Sequence, residues 1–160
     1  MRNYRVILVA ALIAAMAVPL FAQKKTRKAA AHAGGIDRAY LQKIWNGWES
    51  LDGQKQAEFY AKGKHLFFDI APVKYTSWEE YESGVNKVLA DYKSAKFTVQ
   101  DDAEIHPAGE YVWAASTVKA DMERKNGKRE LSTMRWTVVF AKEAGKWLIV
   151  HEHVSEPVGE

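Results

Sequence analysis

The stretch YVWAASTVKADMERKNGKRELSTMRWTVVFAKEAGKWLIVHEHVS, residues 111–155, decides the fold. Apolar and polar residues alternate along it with a period of two, the pattern of strands with one buried face. Tyr111 to Glu123, Leu131 to Lys142 and Trp147 to Ser155 form three such runs. Asn126-Gly127 separates the first two and is the strongest short hairpin signal; Glu143-Ala144-Gly145 separates the last two. Upstream, Phe97, Val99, Ala103 and Ile105 alternate in the same way and stop at the turn His106-Pro107-Ala108-Gly109. The result is a meander of four antiparallel strands.

Before the meander the period lengthens. Ile36, Tyr40, Ile44, Trp48 and Leu51 recur every three to four residues, widened by Leu41 and Trp45, which predicts an amphipathic helix. Asp52-Gly53 breaks it and can cap a short second helix through Ala61. His65 to Asp69 is a short strand closed off by Pro72. Ser77-Trp78-Glu79-Glu80 is a capping box, and Trp78, Tyr81, Val85, Val88 and Tyr92 extend it into a third helix over 78–92. The expected fold is α+β: three N-terminal helices packed on a strongly curved antiparallel sheet, a cone-shaped half-barrel with room between the layers.

Composition narrows the function. The chain has 160 residues, 48% hydrophobic and 27% charged, which suits one globular domain plus a short extension. It has no cysteine, so disulfides, thiolate metal sites and a cysteine nucleophile are excluded. The formal charge of +3 is misleading. Six of the 23 basic residues and none of the 20 acidic ones fall within residues 1–28, so the rest is acidic by three. Without a basic stripe, nucleic-acid binding is disfavoured.

The first 22 residues read as an export signal. Arg2 and Arg5 precede an uncharged apolar run from Val6 to Val18, followed by Pro19 and a small residue, Ala22. Lys24 to Lys28 opposes translocation, so an uncleaved anchor is the alternative. Residues 23–35 read as a flexible tether and 36–157 as the domain.

This element order, with the ending Gly145-Lys146-Trp147-Leu148-Ile149-Val150-His151-Glu152-His153-Val154-Ser155-Glu156-Pro157, resembles the nuclear transport factor 2-like superfamily. Within it the chain looks most like the SnoaL-like and ketosteroid-isomerase-like bacterial domains. The Trp-x-Ile-x-His-x-His-x-Ser portion also looks like the association domain of calcium/calmodulin-dependent protein kinases. The resemblance implies a pocket between helices and sheet and, in many relatives, subunits paired through the outer sheet face. It implies no single activity, because the fold hosts isomerases, dehydratases, cyclases and dimerisation modules.

Turn lengths set which residues face that pocket. A two-residue Asn126-Gly127 turn pairs Thr117 with Trp136 and Ala115 with Val138. A three-residue loop at Glu143-Ala144-Gly145 pairs Val138 with Val150 and Trp136 with Glu152. One face then holds Trp113, Thr117, Lys119, Trp136, Val138, Val150 and Glu152. The isomerase resemblance makes it the pocket side. Trp45, Trp48, Tyr60 and Trp78 join it from the helices, and an aromatic pocket favours a flat, mostly apolar ligand.

Two acids are the catalytic candidates. Phe68-Asp69 before a Pro-containing loop resembles the isomerase segment that carries the general base. A carboxylate among aromatics would have a raised pKa suited to moving a proton from carbon. Asp69 capping its own loop is the alternative. Glu152 is the other inward acid; it either acts with Asp69 or pairs with Lys119, since an isolated buried carboxylate is costly. The isomerase's oxyanion tyrosine falls near Ile44 or Trp45 and its second acid on Trp136, so steroid isomerisation is disfavoured. Tyr40 or Tyr60 is a substitute donor. His151 and His153 share a strand face with spacing that suits a metal, but two ligands are too few; an outward pair at a dimer interface is the simpler reading.

No cofactor is expected. The expected function is an exported domain, homodimeric, binding a small apolar or aromatic molecule. A cofactor-independent isomerase, dehydratase or cyclase using Asp69, and a homodimerisation module without catalysis, are the alternatives.

Overall fold

The computed structural model of the chain describes residues 34–159. The expected signal segment and most of the tether lie outside the described residues. Two helices pack on one curved, unclosed sheet, in the order α1 (Arg38–Trp48), β1 (Lys64–Phe68), β2 (Tyr75–Ser77), α2 (Trp78–Leu89), β3 (Tyr92–Val99), β4 (Glu104–Ala108), β5 (Tyr111–Arg124), β6 (Arg129–Glu143) and β7 (Lys146–Ser155). The strands run β2-β1-β7-β6-β5-β3, and β4 pairs with the other half of β5. The sheet is mixed rather than antiparallel, because β1 lies parallel to β7.

The helix α2 starts at the expected cap, Ser77, whereas α1 is capped by Asp37, one residue inside the helical run read from Ile36. The Asp37 carboxylate accepts from the Tyr40 amide at 2.8 Å, and the Ser77 hydroxyl accepts from the Glu80 amide at 3.2 Å. Glu80 reaches back one residue further than a capping box requires, taking the amide and hydroxyl of Thr76.

The expected second helix is a single 3-10 turn, Gly53–Gln56. Pairing with the sheet overrides helix continuation: Ala61 donates to the Ile149 carbonyl at 3.0 Å, and Ile149 donates to Phe59 at 2.7 Å. Phe59 to Ala61 is thereby drawn out beside β7, with Tyr60 bridged to Ile149. The expected strand over 97–105 is two strands. Asp102 interrupts it, its carboxylate accepting from the Thr117 amide at 3.0 Å and hydroxyl at 2.7 Å and from Ser116 Oγ at 3.1 Å.

The β5–β6 hairpin corrects the strand parity. Glu123 pairs with Arg129, and Gly127 donates to Arg124 with φ of 85°, so the loop has three residues with glycine in the left-handed position. This slides β5 by one residue and exchanges its faces. Val112, Ala114, Val118 and Ala120 point into the core, and Trp113, Thr117 and Lys119 point away from it. The β6–β7 turn is the opposite case. It has two residues, Ala144 and Gly145, both at positive φ, and pairs Glu143 with Lys146. A bulge restores the parity beyond it: Phe140 faces Ile149, but Val139 faces His151, leaving Val150 as the extra residue. Ile149 and Glu152, three apart, are therefore both buried, and Val150 is not an inward strand position.

The α1 helix closes the outer edge of β3. The Gln42 amide donates to the Phe97 carbonyl at 2.9 Å and accepts from the Val99 amide at 2.8 Å, while Glu49 accepts from the Phe97 amide at 2.9 Å. Between the layers lies an aromatic cluster in which Tyr60 stacks on Trp78 at 4.3 Å and Phe67 on Tyr81 at 5.1 Å.

Glycine at position 84 of α2 makes room for Tyr75. A Cβ there would sit 2.2 Å from the buried Tyr75 ring, whose hydroxyl donates to the Ala71 carbonyl at 3.1 Å. Helix propensity alone favours alanine over glycine by about 1 kcal/mol. Overpacking costs about 1–3 kcal/mol. Gly84→Ala is therefore expected to lower the urea midpoint rather than raise it.

Candidate functional site

A cavity of about 550 Å³ opens between the helices and the inner sheet face. Trp45 and Trp48 of α1, Tyr81 of α2, and Phe97, Met134 and Val154 from the sheet form its apolar wall. Ile70, Val88 and Leu131 ring it as exposed apolar side chains. Two expected acids face it: Asp69, just beyond the end of β1, and Glu152 of β7.

Glu152 is 2% exposed. Its Oε1 accepts from the Tyr60 hydroxyl at 2.8 Å, and its Oε2 accepts from the Trp136 indole N–H at 2.9 Å. Three local devices assemble this arrangement: the bulge turns Glu152 inward, the bridge to Ile149 places Tyr60, and the three-residue hairpin leaves Trp136 inward on β6. Burial pushes the Glu152 carboxyl up to about 7, although the neighbouring Tyr81 hydroxyl and the hydrogen bonds from Trp136 and Tyr60 favour its ionised form. The negative charge of Asp69 adds to the rise.

Asp69 is half-buried and accepts from the Ile70 amide at 2.7 Å. Burial raises its carboxyl to about 6, against the lowering effect of that amide. Both acids therefore titrate near neutrality, where a proton can be taken or given at little cost. Burial also lifts the hydroxyls of Tyr60 and Tyr81 well above the usual tyrosine range, with the Glu152 charge adding to it, so both remain protonated donors.

The cavity rim carries a charged cluster. Glu130 accepts from Tyr92 at 2.7 Å and from Arg124 and Lys128 at 2.9 Å each, which holds its carboxyl down at about 2. The Arg124 guanidinium lies over the Tyr92 ring at 4.6 Å.

The structure thus brings Asp69, Glu152, Trp45 and Trp48 to one cavity. Tyr60, Trp78, Trp136 and Val138 lie in the packed core, where Tyr60 and Trp136 hold Glu152. Besides these four, which do not line the cavity, four more expected pocket residues are corrected. Trp113, Thr117 and Lys119 lie on the other sheet face because of the slipped hairpin, and Val150 is the bulged residue. Trp113 stacks on His106 at 4.1 Å, Thr117 binds Asp102, and Lys119 forms no pair with Glu152. Tyr40 donates to the Trp147 carbonyl at 3.2 Å. His151 contacts the Leu66 carbonyl at 2.7 Å, and the Phe68 ring packs edge-on against both His151 and His153. Sequence reasoning missed Tyr81, Val88 and Tyr92 as wall residues: they belong to the helical stripe of 78–92, which reads as core until the gap beneath it is seen.

Comparisons with known proteins place the architecture. The family model of the SnoaL-like domain matches residues 38–159. A nuclear transport factor 2-like superfamily protein from Salmonella enterica is similar in structure, with a TM-score of 0.66 and 18% identity over 76% of this chain and 92% of that one. A protein of the same family from Streptomyces avermitilis, provisionally named a dehydratase, gives 0.65 and 13% over 76% and 95%. The association domain of calcium/calmodulin-dependent protein kinase II from Caenorhabditis elegans gives 0.57 and 16% over 73% and 95%. Among curated protein sequences, none matches the chain.

The titration of Glu152 makes a stability prediction. A carboxyl whose folded pKa is raised binds more protons folded than unfolded, so its contribution is complete below the unfolded value near 4.5 and is lost as pH rises through about 7. Asp69 acts in the same direction. Between pH 4.5 and 8 the protein should lose on the order of 3 kcal/mol from Glu152. Urea denaturation at the two pH values should show the combined loss from both acids, and Glu152→Gln should remove the Glu152 share and leave that of Asp69.

Proposed function

The chain belongs to the SnoaL-like domain family, and on that premise we propose that its cavity binds a small, mostly apolar or aromatic molecule. The carrying observation is the cavity itself: open, about 550 Å³, walled by Trp45, Trp48, Tyr81 and Phe97. A volume of this size with few polar groups suits a drug-sized ligand. A module that served association alone would have no need to keep this space unfilled. Ala120 lies on the inner face of β5 and lines the cavity. Ala120→Trp should fill it, so that ligands which raise the melting temperature of the native protein no longer do so. A thermal-shift screen of flat apolar compounds provides the reference; no concentration-dependent stabilisation by any of them would count against this function.

A second reading is favoured by one observation, the convergence of Asp69 and Glu152 on the same cavity. Asp69, the more open of the two, is the general base, and Glu152, held by Tyr60 and Trp136, is the proton donor. Such a pair would run a cofactor-independent isomerisation, dehydration or cyclisation. Exchange of deuterium from solvent into a bound carbonyl compound measures the proton transfer. Asp69→Asn should slow it by about 10²–10⁴-fold with the fold retained.

The domain is also proposed to be exported by residues 1–22 and to form a homodimer. The pattern of Arg2, Arg5 and the apolar run supports export. The likeness to the kinase association domain, and the exposed Trp113 and Phe68–histidine cluster on the outer sheet face, support pairing.

A further inference from the structure

The two inner acids of the cavity, Asp69 and Glu152, are held without cations. Of the residues that line the cavity, Asp69, Glu130, Glu152 and Glu156 are acidic and Arg124 alone is basic. Arg124 is already committed to Glu130 at 2.9 Å and Asp91 at 3.6 Å, out at the rim. Among the described residues neither Asp69 nor Glu152 has a basic side chain within 4 Å. The groups that face them are Tyr60, Tyr75, Tyr81, Trp136 and each other, all neutral or negative. Lys62 is held over the Trp78 ring at 4.6 Å. Five aromatic rings, Trp45, Trp48, Tyr81, Tyr92 and Phe97, line the same space. The wall is also incomplete on the polar side: Trp45, nine-tenths buried, has no acceptor for its indole N–H.

Resting on the binding function above, we propose that the cavity selects a cationic ligand: an apolar or aromatic body bearing one ammonium-type centre, seated against Asp69 and Glu152. Aromatic faces attract a cation through their quadrupole, most strongly where water is excluded. A buried carboxylate without a counter-ion gains from one far more than an exposed carboxylate does. The same arrangement excludes anions, because a carboxylate ligand would meet two like charges with no basic group free to receive it.

The pH dependence has a definite sign. Below pH 5 both acids are protonated, and the cavity discriminates weakly between charged and neutral ligands. As pH rises through about 6 for Asp69 and about 7 for Glu152, each gains its charge and the cation is held more tightly. A neutral ligand gains nothing over that range.

Isothermal titration of the full chain with 2-phenylethylamine, 2-phenylethanol and 3-phenylpropanoate tests this. At pH 8 the amine should bind at least about tenfold tighter than the alcohol, a difference of about 1.4 kcal/mol, and the acid weakest. At pH 5 the advantage of the amine should largely vanish. Glu152→Gln and Asp69→Asn should each reduce the advantage at pH 8, and either one suffices if the other fails to fold. Equal binding of amine and alcohol at pH 8 would overturn the charge selectivity while leaving cavity binding intact. A preference for amine that survives both substitutions would also overturn it. No binding by any of the three probes would overturn this proposal, and ligands from the thermal-shift screen would then decide whether cavity binding stands.

Discussion

The Glu152 carboxylate ties the domain together. One oxygen takes the hydroxyl of Tyr60, from the segment between the helices, and the other takes the indole of Trp136, from the neighbouring strand. A buried acid needs such partners, since an unpaired polar group in this setting costs about 1–3 kcal/mol and a charge more. Each partner is delivered by a different local irregularity. The parallel bridge draws Phe59 to Ala61 out of a helical path, and the bulge at Val150 turns Glu152 inward. The arrangement is thus a product of tertiary pairing rather than local propensity. It consumes two of the aromatic residues that would otherwise be free to line the cavity.

The cavity depends on how that acid is supported. The Glu152 donors come from the core side, which leaves the rest of the carboxylate environment to Tyr81, Asp69 and the space itself. Asp69 occupies a less regular position, just past the end of β1, in a loop fastened where Tyr75 reaches Ala71. The gap left by glycine at position 84 admits the Tyr75 ring, so a helix residue with no side chain governs the placement of a loop that carries an acid. Catalytic and binding groups are often set on loops by rigid neighbours in this way.

Much of this was legible in the sequence. The strand periods, the Ser77 cap and the Asn126-Gly127 turn signal located the elements, and Trp136 and Glu152 were expected on one face. Parity was the weak link. Asn-Gly fits a two-residue turn, but in this hairpin glycine completes a three-residue loop, and the difference of one residue moved Trp113, Thr117 and Lys119 across the sheet. Sequence carries no signal that separates these two loops, because both place glycine at positive φ. The β6–β7 hairpin erred in the opposite direction, and the bulge compensated, so Glu152 was placed correctly despite a wrong turn and Val150 was not. The second helix was lost for a different reason: pairing of Ala61 with Ile149 is a long-range contact, invisible to a local pattern. The wall residues Tyr81 and Val88 looked like core because periodicity records which face a residue occupies and not whether that face meets a neighbour.

The borders of the sheet have a wider consequence. On one side the main-chain groups of Phe97 and Val99, at the end of β3, are occupied by Gln42 and Glu49, and on the other the sheet ends in the three-residue β2. A third border is β4, which pairs with β5 alone and leaves a five-residue edge unpaired. A strand arriving from another copy of this molecule therefore meets only short lengths of unpaired main chain along the hydrogen-bonding direction.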